Sequence, residues 1–128
     1  MKLLLDTHVF IWLASEPERL SEAAARLLLD SDNELCLSVA SLWEMQIKLQ
    51  LGKLSLELPL RQIWEEQQRL NQVQLVGISG SHVWQLEALA QIHKDPFDRI
   101  IIAQARQDEL TLVSADGIVK RYDVDVVW

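Results

Sequence analysis

The sequence predicts an α/β domain: a parallel sheet with helices on both faces. Two observations lead there. Five short apolar segments alternate mostly with longer helical stretches, the pattern of strands joined by helical crossovers and buried on both sides. At 128 residues the chain has room for one substantial core and not two, so residues 1–128 are read as a single domain.

Taken in order, Leu3–Leu5 is an apolar run ending at Asp6, and Val9–Ala14 reads as a short helix broken by Ser15-Glu16-Pro17. Ser21 is placed to cap a second helix with apolar positions 24, 27 and 28. Leu35–Leu37 is the second strand. The segment SVASLWEMQIKLQLGK is a helix closed by Gly52. Pro59 opens another, running to about Asn71. Gln74–Ile78 is strand-like, Ser81 caps a helix through Ile92, and the helix after Pro96 runs to about Asp108. Thr111–Val113 and Asp125–Val127 supply the last two strands, with no space for a helix of normal length between Asp116 and Val124.

Composition narrows the function. The chain is 49% hydrophobic and 24% charged, an ordinary globular balance. The opening Met1-Lys2-Leu3-Leu4-Leu5 is cut short by Asp6, unlike a signal peptide. The longest apolar run, Val9–Ala14, is far too short to span a bilayer, so no membrane role is expected. A lone cysteine, Cys36, rules out an internal disulfide or a cysteine metal cluster and fits a reducing cytoplasm. A net charge of −7 argues against a protein that simply coats nucleic acid. It leaves open an enzyme acting on nucleic acid whose clustered acids are offset by metal.

The acids repay closer reading. In open parallel sheets, ligands bind beyond the carboxyl ends of the strands. Asp6 ends the first strand, Glu44 lies in the first turns of the helix after the second, Asp98 opens the helix before the fourth, and Asp116 follows the fourth in LVSAD. Each has a plain structural role available. Ser41/Glu44 and Asp95/Asp98 have capping-box spacing, Asp6 is placed to cap a helix, and Asp116-Gly117 to make a turn. Together they say more. Carboxylates ~4–5 Å apart repel by about 3–4 kcal/mol per pair at an effective dielectric of about 20. Gathering them therefore requires a cation or a shared proton. Oxygen-only donors suit Mg²⁺ or Mn²⁺, an ion able to polarise a phosphoryl oxygen and activate water. His8, His82 and His93 lack zinc-type spacing, and His8 and His93, near the rim, are read as surface or capping residues.

With those residues in view, the chain resembles a PIN-domain ribonuclease of the VapC toxin type, the toxic half of type II toxin–antitoxin pairs. The resemblance rests on LLLDTHVFIWL, SVASLWEMQIKLQLGK, HKDPFDRIIIAQA and LTLVSAD, in the family's order over nearly the whole chain. It implies a three-layer α/β/α domain around a five-stranded parallel sheet and a Mg²⁺- or Mn²⁺-dependent endoribonuclease leaving 5′-phosphate and 3′-hydroxyl ends. By motif position Asp6, Glu44, Asp98 and Asp116 match the family's acidic quartet, with Thr7 and Ser114 as supporting hydroxyls. Ser114 stands where many relatives have Thr. Asp95 keeps the capping role. The resemblance also implies a cognate antitoxin that inserts a basic side chain among the acids, and a homodimer.

The same residues allow other assignments. Arg99 and Lys94 are candidates to steady a flanking phosphate, equally placed for a helix-surface role. Trp43 and Phe97 are able to stack on a base, but aromatics at helical spacing point to the core. A haloacid-dehalogenase-like phosphohydrolase needs an acid at position 8, where His8 stands, and a receiver domain needs an Asp ending the third strand near Ile78. A non-catalytic PIN-like binding or scaffold domain is the reading from a different class.

Overall fold

The computed structural model describes residues 1–128. The strands are β1 (Lys2–Leu5), β2 (Glu34–Ser38), β3 (Gln74–Val76), β4 (Thr111–Val113) and β5 (Val126–Val127). The helices are α1 (Thr7–Ser15), α2 (Glu22–Leu29), α3 (Val39–Gln50), α4 (Leu60–Asn71), α5 (Gly80–Ala88) and α6 (Pro96–Gln107). Short 3₁₀ turns fill Pro17–Arg19 and Gly117–Arg121. All strand pairings are parallel, in the order β3-β2-β1-β4-β5.

The apolar runs explain the layers. Successive strand residues face opposite sides of a sheet. Leu3 and Leu5 enter one core with Leu35, Leu37 and Val113, against Val9 and Phe10 of α1, Leu28 of α2 and Ile63 of α4. Leu4, Cys36 and Leu112 enter the other, against Ile100, Ile101, Ile102 and Ala105 of α6. Helix α3 serves both, through Met45 on one side and Ala40 on the other. Each fully buried leucine stabilises the fold by roughly 1.5–3 kcal/mol, so both faces of the central strand matter to it. No helix is long and apolar enough to cross a membrane.

Several boundaries differ from the sequence expectation, each for a local reason. Helix α1 starts directly at Thr7 because the Asp6 side chain caps it. The cap of α3 is Ser38, whose hydroxyl accepts from Ala40 N–H, so Ser41 and Glu44 form no capping box. Helix α5 is capped from Ser79, not Ser81: the Ser79 N–H donates to His82 Nδ1 at 2.9 Å. It ends at Ala88, short of Ile92, and β3 stops at Val76, short of Ile78. Gly52 does follow α3 in the left-handed conformation, at φ 71°.

Candidate metal centre and active site

The chain switches sides of the sheet between the neighbouring strands β1 and β4, and crevices form at such switch points. Asp6, the first residue past β1, lies there, its N–H donating to Val113 O at 3.0 Å. A helix N-terminus and a buried serine fix its carboxylate. Oδ1 accepts from Thr7 N–H at 2.9 Å and Oδ2 from the Ser114 hydroxyl at 2.7 Å. Asp6 is 7% exposed and Ser114 is buried beneath it.

From the first residue of α1, the Thr7 hydroxyl donates to Glu44 Oε1 at 2.8 Å and lies 2.9 Å from Ser41 Oγ. The other Glu44 oxygen accepts from Lys48 Nζ at 2.7 Å, one turn along α3. That bond to Glu44 outweighs the cost of burial and raises the Lys48 pKa, with Asp95 and Asp98 adding to it.

Asp98 stands apart. Asp95 caps α6, its Oδ1 accepting from Phe97 N–H at 2.8 Å and Asp98 N–H at 3.4 Å. The Asp98 carboxylate itself has no partner within the chain. Burial, then the charges of Asp6, Asp95 and Glu44, push its pKa up to about 7, against a smaller opposing effect of His93. Asp116 behaves in the opposite sense. Burial alone would raise it, but the bond from His93 Nε2 to Oδ2 (2.8 Å), the Ile118 N–H to Oδ1 (2.9 Å) and the charges of His93 and His8 hold it below the usual range.

Asp6, Glu44, Asp98 and Asp116 therefore line one cavity of about 350 Å³, together with Thr7, His8, Asp95, Lys48 and Lys53. No three carboxylate or imidazole groups in it are closed into a metal shell: Asp6, Glu44 and Asp116 are each held by separate hydrogen-bond partners. The donors nevertheless suit a hard divalent ion. They are mainly carboxylate and hydroxyl oxygens, and Asp98 supplies a carboxylate with no hydrogen-bond or ion-pair partner in the chain.

Some roles differ from the sequence expectation. Arg99 is committed to backbone, donating to Ala90 O at 2.8 Å and Leu86 O at 3.3 Å, which removes it as a phosphate grip. Trp43 is not core: it is 61% exposed and packs edge-on against Phe97. His93 and His8 brace the Asp116 loop. His93 Nδ1 lies 2.9 Å from the Tyr122 hydroxyl, which also accepts from the His93 N–H, while His8 Nε2 accepts from Ala115 N–H at 3.1 Å. Sequence offered a signal only for Lys48, four residues beyond Glu44 on one helix face.

The family model described as PIN domain matches residues 3–125. Ribonuclease VapC22 of Mycobacterium tuberculosis is 35% identical over 115 residues, covering 89% of this chain and 86% of that protein. Among solved structures, VapBC2 from Rickettsia felis, bound to a DNA fragment from its promoter, superposes with a TM-score of 0.74 at 17% identity, covering 99% of this chain and 98% of that one. VapBC-1 from nontypeable Haemophilus influenzae gives 0.67 at 17% identity, covering 99% and 97%. At these identities the structural matches speak for the fold alone.

Proposed function

Since this chain belongs to the PIN-domain family and has a VapC ribonuclease as a relative, we propose that it is a divalent-metal-dependent endoribonuclease, the toxin of a type II toxin–antitoxin pair. The observation that carries the reading is the cavity lined by Asp6, Glu44, Asp98 and Asp116, with Asp98 unpartnered and its pKa raised to about 7. Asp6, Glu44 and Asp98 hold Mg²⁺ or Mn²⁺, and Asp116 assists. When bound, the ion offsets charge developing on the phosphoryl group and makes water a better nucleophile.

The chain's own residues orient those ligands. Ser114 and the Thr7 N–H aim the two oxygens of Asp6. The Thr7 hydroxyl aims one Glu44 oxygen, and Lys48 neutralises the other until the ion replaces it. His93 Nε2 holds Asp116 at the cavity edge and helps to lower its pKa against the effect of burial. Such outer hydrogen bonds set ligand geometry and metal affinity.

A cognate antitoxin inhibits by placing an Arg or Lys among these acids, a charge-assisted contact of the kind carboxylates favour. Several structural relatives are themselves toxin–antitoxin complexes, which supports that partner. A homodimer and a cytoplasmic location complete the reading.

The test is cleavage of end-labelled transfer and ribosomal RNA by purified, antitoxin-free protein in Mg²⁺, Mn²⁺ and EDTA, beside Asp98→Asn. Discrete cuts that need metal and vanish in the variant are expected. Folded protein that cuts no RNA with either metal would instead favour a PIN-like binding domain.

A further inference from the structure

The cavity is walled by five carboxylates, Asp6, Glu44, Asp95, Asp98 and Asp116, against two ammonium groups, Lys48 and Lys53. Such a wall repels the polyanion that the proposed reaction must admit. The nearby cations are not equally free to offset this. Lys48 is paired with Glu44 at 2.7 Å, and Arg99 is occupied by the carbonyls of Ala90 and Leu86. Lys53 makes no ion pair and no side-chain hydrogen bond, although it lines the cavity.

Its position is fixed by the backbone. Gly52 turns the chain at φ 71°, a conformation that side chains strain. The Lys53 N–H then donates to Lys48 O at 2.8 Å, and the Leu54 N–H to the same carbonyl at 3.2 Å. Leu54 packs against the core that contains Leu3 and Leu5. This end of α3 thus delivers an unpaired ammonium from an anchored backbone to the wall of an acidic cavity. Lysine binds phosphate as a compact point charge that tolerates varied geometry.

We propose that Lys53 is the phosphate-positioning residue of the site, its free ammonium taking a backbone phosphate of the RNA where the acids around it would otherwise repel the strand. The inference rests on the nuclease reading above. It gives Lys53 a role in holding the strand and none in reading its sequence, since phosphate contacts position without specifying.

The test uses full-length protein carrying Asp98→Asn, so that RNA is bound and not cut. The probe is a fluorescein-labelled single-stranded RNA of mixed sequence, titrated by anisotropy with EDTA and with Mg²⁺ over roughly 50–200 mM salt. Adding Lys53→Gln is expected to raise Kd about three- to fivefold and to reduce the slope of log Kd against log salt by about 0.7, one phosphate contact on a single strand. Lys53→Arg retains both values, and Lys2→Gln, at the far end of β1, changes neither. Thermal melts coincide for all forms.

Unchanged Kd and slope for Lys53→Gln overturn the proposal. So does an equal loss in Lys2→Gln, which marks a general charge effect, and so does a fall in melting temperature with RNA binding intact, which marks Lys53 as a counter-ion of the acids. If RNA is still cut by the unaltered protein, those outcomes leave the nuclease reading standing. If no form binds RNA and the unaltered protein cuts none, both fall.

Discussion

The hydroxyl of Ser114 donates to Asp6 Oδ2 at 2.7 Å, joining residues 108 positions apart. The bond joins the ends of adjacent parallel strands and aims a buried carboxylate. Removing the hydroxyl leaves that charge with one donor fewer. Ser114→Ala is expected to lower stability by about 1.5–3 kcal/mol, the range for hydrogen bonds to charged groups. Urea denaturation in EDTA measures it, and a loss below about 0.5 kcal/mol would falsify the orienting role.

Asp98 makes stability depend on pH in a defined direction. Its folded pKa, about 7, lies above the ordinary 3.8, so the folded state binds more protons than the unfolded between those values. Stability of the metal-free protein therefore falls as pH rises from about 4 to about 7. Asp98→Asn removes this contribution. The variant should melt higher than the parent at pH 8 in EDTA, with the gap narrowing toward pH 4. Divalent binding to the parent should strengthen as pH rises through 7, because cation and proton compete for one carboxylate. A variant less stable than the parent at pH 8 contradicts the account.

Lys48 neutralises part of the cavity in the absence of metal. Replacing it with Met leaves Glu44 held by Thr7 alone and returns a full negative charge to the neighbourhood of Asp98. The metal-free variant should melt lower, while Mn²⁺ binds about three- to tenfold tighter because no ammonium competes. Calorimetric titration at low and high salt checks this, the gain shrinking with salt. Weaker Mn²⁺ binding would instead make Lys48 a necessary holder of Glu44.

The Tyr122 hydroxyl holds both the N–H and Nδ1 of His93, which in turn holds Asp116. Tyr122→Phe leaves a part-buried N–H without its acceptor, a cost of about 1–3 kcal/mol. Faster amide exchange is expected at His93 and through the Asp116 turn, with α1 unaffected. Hydrogen exchange followed by mass spectrometry resolves these segments.

Sequence disclosed the sheet because Leu3–Leu5, Leu35–Leu37 and Leu112–Val113 are consecutive apolar runs, as strands buried on both faces must be. It disclosed where the acids lie because Asp6, Asp98 and Asp116 sit at a strand end or a helix start and Glu44 in the second turn of α3, and topology brings these places to one edge. What stayed hidden depends on side-chain geometry across the fold. The pairing of His93 with Asp116 spans 23 residues and follows no local spacing. Ser79 displaced Ser81 as a cap because His82 completes the turn, a partner outside the Glu/Gln pattern that marks capping boxes. Arg99 found carbonyls exposed where α5 ends early at Ala88, a boundary the apolar pattern did not predict. Trp43 follows helical spacing, yet its face of α3 looks outward.

The central strand gains its second neighbour late. β1 can pair with β2 early, but β4 does not exist until residues 111–113 have been made, and Ser114 and Asp116 follow them. On a ribosome the first hundred residues can pair β1 with β2 and β2 with β3, yet Asp6 still lacks the Val113 carbonyl and the Ser114 hydroxyl that hold it. Of the four acids, Asp6 is made first and Asp116 last, after the whole of β4. The wall around Asp6 therefore cannot close until β4 and the segment after it have joined the sheet.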